Sequence, residues 1–136
     1  MRAVLDPNIL IAAALSPAGA PASILRHWLD GAFELVASEQ LLDELARALT
    51  YPKLRSRIAA DDALLFVEML RRGATLAADD PTPARRSRDR GDDYLLALAA
   101  GTSSIVVTGD QDLLTLAPAL PVRTAGAFLA ELDAKR

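Results

Sequence analysis

Short, uninterrupted apolar runs alternate along this chain with stretches of helical periodicity, and no other feature restricts its fold as strongly. Arg2 to Leu5, Phe33 to Ala37 and Ser104 to Thr108 read as buried strands, with Pro121-Val122-Arg123 as a last short one. Between them lie helical patterns: Ile9 to Leu15, Pro21 to Asp30, a helix capped by Ser38 that runs to Leu49 with Pro52 beyond its end, and one opened by Asp61-Asp62 that ends near Gly73. Further on, Tyr94 to Ala100 forms a helix with Gly101 as its stop signal, and Thr124 caps a final helix reaching Asp133. Strands that are apolar throughout, spaced by helices, imply βαβ units and a mostly parallel sheet covered on both faces. The expected fold class is therefore α/β, a three-layer α/β/α arrangement.

Composition removes several other classes. At 136 residues, 51% hydrophobic and 24% charged, the chain can bury a real core and is not a disordered tail. No apolar run approaches the ~18 residues of a membrane span, and an acid at position 6 comes too early for a secretory leader. A cytoplasmic location without membrane contact is expected. The absence of cysteine excludes thiolate metal sites, disulfide scaffolds and cysteine nucleophiles. A net charge of −3 argues against nucleic-acid binding through a general basic surface, though not against an enzyme whose acids gather at one site. The segment from Ala78 to Gly91 reads as an exposed connection, and four arginines crowd into it: Arg85, Arg86, Arg88 and Arg90. These suit either RNA phosphate contacts or a simply solvated loop.

In parallel sheets ligands bind beyond the carboxyl ends of the strands, and the acids fall there. Asp6 ends the first strand, Asp110 and Asp112 follow Ile105-Val106-Val107-Thr108-Gly109, and Asp92 and Asp93 open the preceding helix. In the helix from Glu39, Leu42, Leu45 and Leu49 form the core stripe, Asp43 and Arg47 read as a solvated ion pair, and Glu44 falls on the shoulder. Each acid has a structural alternative: a strand-end turn for Asp6, a helix cap for Asp92, Asp93 or Asp110, a supporting role for Asp112. Taken together, such carboxylates repel one another unless protonated or neutralised by a divalent cation, and an all-oxygen site suits Mg²⁺ or Mn²⁺. The single histidine, His27, stands beside Trp28 with no nucleophile motif and reads as packing or surface. No Gly-rich phosphate loop is present, which leaves metal-assisted hydrolysis.

Four segments in order carry a resemblance: Val4-Leu5-Asp6-Pro7-Asn8, Leu41-Leu42-Asp43-Glu44-Leu45, Arg88 to Ala99 around Asp92-Asp93-Tyr94, and Val107-Thr108-Gly109-Asp110-Gln111-Asp112. Together they resemble the PIN-domain ribonucleases, in particular the toxin components of bacterial toxin–antitoxin systems, over one PIN-like domain spanning residues 1–136. The resemblance implies Asp6, Glu44, Asp93 and Asp110 as catalytic metal ligands for Mg²⁺ or Mn²⁺. Asn8, Thr108 and Asp112 match supporting positions, and Asp92 is an adjacent acid of open role. It also implies an RNA substrate, a small antitoxin protein as partner and a homodimer. Pro7 departs from the usual Ser or Thr; lacking hydroxyl and N–H, it is expected to cost Asp6, or a water on the metal, a supporting hydrogen bond. The competing expectations are a PIN-like binding or assembly module that no longer cleaves, and a phosphotransfer or phosphatase domain. The latter lacks the second acid after Asp6 and the late lysine that such domains use.

Overall fold

A computed structural model describes residues 1–135. Its strands are β1 (Arg2–Leu5), β2 (Glu34–Ala37), β3 (Thr75–Leu76), β4 (Ile105–Val107) and β5 (Val122–Arg123). The helices are α1 (Pro7–Leu15), α2 (Ala20–Leu29), α3 (Glu39–Ala48), α4 (Pro52–Arg55), α5 (Ala60–Gly73), α6 (Asp93–Thr102), α7 (Gln111–Leu114) and α8 (Ala125–Ala134), with a 3-10 turn at Arg90–Asp92. All strand pairs are parallel, in the order β3-β2-β1-β4-β5. Val4 sits opposite Val36 on one side and Val106 on the other, and the three are at most 1% exposed, as continuous apolar strands require. Helices complete the three-layer α/β/α arrangement: α6 packs on β1, β2 and β4, while α1 packs on α2 and α3, α2 on α8, and α3 on α5.

The chain winds outward from β1 to β2 and β3, then crosses back to β4 and β5. The direction of winding therefore reverses between β1 and β4, the kind of switch point where parallel sheets open a crevice for ligands. Asp6 and Thr108 emerge side by side at that edge, because the Asp6 N–H donates to the Val107 carbonyl at 3.0 Å.

Local signals explain most helix boundaries. Ser38 caps α3 by accepting from Leu41 N at 3.3 Å, and Thr124 caps α8 by accepting from Ala127 N at 3.1 Å. Leu41, Leu42, Leu45 and Leu49 are at most 1% exposed, so the stripe of α3 is core. His27 packs inside, 6% exposed, with its Nε2 3.0 Å from Asp133, which ties α2 to α8. Phe33 meets Phe128 edge-on with ring centroids 5.2 Å apart.

Several expectations need correction. The first helix begins at Pro7 rather than Ile9, since proline at the first helical position gives up an N–H that has no partner there anyway. Gly101 does not stop α6; the helix runs to Thr102, and Ser103 takes the left-handed cap at φ 53°. Gly73 is the last residue of α5, and any side chain there would meet the Trp28 ring at 2.6 Å, so close approach explains this glycine. Asp43 and Arg47 are both exposed, yet among the described residues no ion pair joins them. β3, α4 and α7 are too short to show as periodic patterns in the sequence, though a cap at Asp110 marks the start of α7.

Candidate metal centre at the carboxyl edge of the sheet

Asp6 follows β1 with 6% exposure, so a buried carboxylate must find donors. It finds two. Its Oδ1 accepts from the Asn8 N–H at 3.1 Å, capping α1, and its Oδ2 accepts from the Thr108 hydroxyl at 2.8 Å. The Asn8 N–H and the Thr108 hydroxyl therefore hold Asp6 in one orientation, with Pro7 contributing no donor of its own. Thr108 Oγ1 in turn accepts from the Asp110 N–H at 3.0 Å, which ties the segments after β1 and β4 into one unit.

Asp110 caps α7 by accepting from Asp112 N at its Oδ1, 2.9 Å away. Capping uses only part of the acceptor capacity of a carboxylate. Asp92 shares the position: its carboxyl is raised to about 7 by burial first, then by the charges of Asp6, Asp89 and Asp110 and a hydrogen bond shared with Asp110. Asp92, the residue whose role the motif left open, thus lies within electrostatic reach of Asp6 and Asp110.

Asp93, 3% exposed, has a different set of contacts. Its Oδ1 accepts from Arg86 N at 3.0 Å, Ser87 N at 2.9 Å and Ser87 Oγ at 3.0 Å. Burial pushes its carboxyl up, but those donors and the charge of Arg85 outweigh burial and leave it below the usual carboxylate range. Asp93 anchors the arginine loop onto the start of α6.

Glu44, half-buried on α3, accepts a hydrogen bond at Oε2 from the Tyr94 hydroxyl on α6. Burial, then the hydrogen bond and charge of Glu44, then Asp6 and Asp79, drive the Tyr94 hydroxyl far above its ordinary range, so it remains a donor. Asp112 is 4.0 Å from exposed Arg88. Arg85, Arg86 and Arg90 are exposed on the same segment.

The structure thus links Asp6 to the Asp110 backbone through Thr108, sets Asp92 within electrostatic reach of both, holds Glu44 on Tyr94, and turns one oxygen of Asp93 to the loop. Among the described residues, no three acidic or histidine side chains stand as a ready chelate. The donor set, wholly oxygen with excess negative charge, fits a hard divalent cation that keeps several waters. Sequence reading missed Ser87 and Tyr94. A hydroxyl inside an otherwise Leu/Ala-rich helix was the available signal for Tyr94, since a buried phenol needs a partner.

Comparison with known proteins bears on the fold and the family. The protein MJ1680 of Methanocaldococcus jannaschii is 26% identical over 116 residues, covering 85% of this chain and 75% of that protein. Among solved structures, PAE2754 from Pyrobaculum aerophilum superposes with a TM-score of 0.69 at 18% identity, covering 98% of this chain and 90% of its own. VapBC2 from Rickettsia felis, bound to a DNA fragment from their promoter, gives 0.64 at 12% identity, covering 91% and 98%. The PilT N-terminus domain protein SSO1118 from Sulfolobus solfataricus P2 gives 0.56 at 16%, covering 97% and 93%. At such identities these structures establish the fold alone. The PIN domain family model matches residues 2–112. That match runs from β1 into α7 and takes in every acid placed above, so the chain belongs to the PIN-domain family, whose members are generally nucleases.

Proposed function

We propose that this protein is a metal-dependent endoribonuclease that hydrolyses RNA phosphodiester bonds at the carboxyl edge of its sheet. The observation that carries the reading is the pair of hydrogen bonds by which Thr108 ties Asp6 to the Asp110 backbone at that edge, with Asp92 beside them, its carboxyl raised to about 7 by burial first and then by the charges of Asp6, Asp89 and Asp110. Asp6, Asp110 and Asp92 would hold Mg²⁺ or Mn²⁺, with Glu44 beside them and Asp93 free to contribute its second oxygen. Such an ion supplies charge neutralisation on the phosphate and a water acidified enough to attack near neutral pH. The residues themselves orient. Thr108 and Asn8 fix the Asp6 carboxylate, Tyr94 keeps a proton on its hydroxyl and presents Glu44, and Ser87 with Asp93 holds the arginine loop near the acids.

The fold likeness to VapBC2 supports a role as the toxin of a toxin–antitoxin pair in the cytoplasm, with a small antitoxin protein as partner and a homodimer as the working form. The competing reading, a module that binds without cleaving, has Pro7 and the acidic surface as its support; against it stands an Asp6 carboxylate held by two hydrogen bonds. The test is cleavage of RNA by the purified protein with Mn²⁺ or Mg²⁺, with and without chelator. Asp6→Asn and Asp110→Asn are each expected to lose roughly 100-fold or more. Cleavage that survives chelation, or variants as active as the parent, would refute the assignment.

A further inference from the structure

A cleft of about 640 Å³ opens beside Glu44, lined by Asn8, Gln40, Asp43, Arg47, Tyr51 and Gly91 among others. Its wall contains an anomaly of burial. The chain has six aromatic residues. Trp28, Phe33, Tyr94 and Phe128 are buried and Phe66 is half-buried, whereas Tyr51 is 54% exposed. The ring is nevertheless mounted on rigid backbone. Tyr51 N donates to the Ala48 carbonyl at 3.1 Å, and its own carbonyl accepts from Leu54 and Arg55 at 3.0 and 2.9 Å as α4 begins. One turn earlier stands Arg47, exposed, with a guanidinium that forms no ion pair or hydrogen bond among the described residues. Gln40 and Asn8 add amide groups that both donate and accept.

We propose that this cleft is a subsite for one unpaired nucleotide of the RNA strand, with the base stacked on Tyr51 and the adjoining phosphate against Arg47. The assignment rests on the nuclease reading. An aromatic face offered to solvent beside a cation is the recurring means of holding single strands without sequence preference, since every base has a π-face. A duplex leaves no free base face and does not use such a platform. The position suits the chemistry: Glu44 follows β2 and Asp112 follows β4, on opposite sides of β1. A strand laid from Tyr51 past Glu44 toward Arg88 therefore crosses Asp6. Asp43, in the same wall, repels phosphate and limits affinity.

The experiment measures binding of a labelled single-stranded RNA and of its duplex to the full chain by fluorescence anisotropy under chelator, and cleavage separately with Mn²⁺. Tyr51→Ala is expected to weaken single-strand binding roughly 5- to 140-fold, the equivalent of the ~1–3 kcal/mol of base–aromatic stacking at tenfold per ~1.4 kcal/mol. Tyr51→Phe should bind as the parent, Arg47→Gln should bind more weakly, Asp43→Asn more tightly, and duplex binding should not change. All three side chains are exposed, and thermal melts of the variants will check that folding is intact. Unchanged single-strand binding by Tyr51→Ala overturns the proposal even if RNA is cleaved, and so does an equal loss on duplex. Unchanged RNA binding with weakened self-association in sedimentation overturns it too, and makes the cleft a protein contact. Tyr51-dependent binding without metal-dependent cleavage would instead leave the subsite standing and refute the nuclease reading.

Discussion

Thr108→Val tests how the carboxyl edge is held together. The hydroxyl, on a residue with no exposed surface, donates to Asp6 Oδ2 at 2.8 Å and accepts from Asp110 N at 3.0 Å. Valine keeps the β-branched shape and removes both bonds. A hydrogen bond to a charged group contributes about 1.5–3 kcal/mol and a neutral one about 0.5–1.5, so the pair is worth about 2–4.5 kcal/mol, with Asp6 buried and Asp110 half-buried. With 136 residues and an unfolding entropy of roughly 2.1 cal/mol/K per residue, each kcal/mol moves Tm by about 3.5 °C. The expected drop in Tm, measured by calorimetry at pH 7, is about 7–16 °C. Repeating the substitution in an Asp6→Asn background should cost at least about 1 kcal/mol less, since the acceptor is then neutral. A change under about 2 °C, or the same cost in both backgrounds, would mean that Thr108 does not position Asp6.

Asp92 gives a pH signature. Its carboxyl is raised from 3.8 to about 7, so folding favours its proton; the stability this contributes is complete below pH 3.8 and is lost as pH rises through about 7. Metal-free protein should therefore melt progressively lower across that window, Asp92→Asn should flatten the profile, and added Mg²⁺ should restore Tm at the alkaline end. The opposite sign holds at Asp93, whose carboxyl is lowered: its contribution is present above its ordinary value and fades as pH falls. Ser87→Ala removes one of its three donors, should cost about 1–2 kcal/mol, and should speed tryptic cleavage at Arg85 to Arg90 as followed by mass spectrometry. Phe128→Ala opens the contact with Phe33 in the core and should cost about 3–5 kcal/mol by denaturant titration.

What the sequence disclosed, and what it hid, follows from the range of the forces involved. Val4, Val36 and Val106 are buried on both sides of the sheet and so form unbroken apolar runs, and the caps at Ser38 and Thr124 act within three residues. Those features are local and legible. β3 is two residues long and exists because Val36 and Ala37 pair with it, so no pattern of its own announces it. The site divides in the same way. That acids sit at strand ends can be read one strand at a time, whereas which of Asp92 and Asp93 faces Asp6 depends on how the loop before α6 closes. The motif points to Asp93, whose Oδ1 accepts from Arg86 N, Ser87 N and Ser87 Oγ, while the 3-10 turn at Arg90–Asp92 leaves Asp92 within electrostatic reach of Asp6 and Asp110.

That division of work between adjacent aspartates has a physical logic. A carboxylate with three donors on one oxygen is electrically satisfied and can lie almost wholly inside the protein. A carboxyl pressed by Asp6 and Asp110 with only a shared proton is not, and it stays half-exposed at the rim. The satisfied acid fixes backbone, and the unsatisfied one has spare capacity for a cation. The arginines follow from the same balance. A net charge of −3 cannot hold a polyanion by its bulk field, so attraction must be local. Arg88 near Asp112 and Arg47, without an ion pair among the described residues, stand on either side of the acids, where on the proposed nuclease reading each would grip a phosphate without neutralising the carboxylates between them.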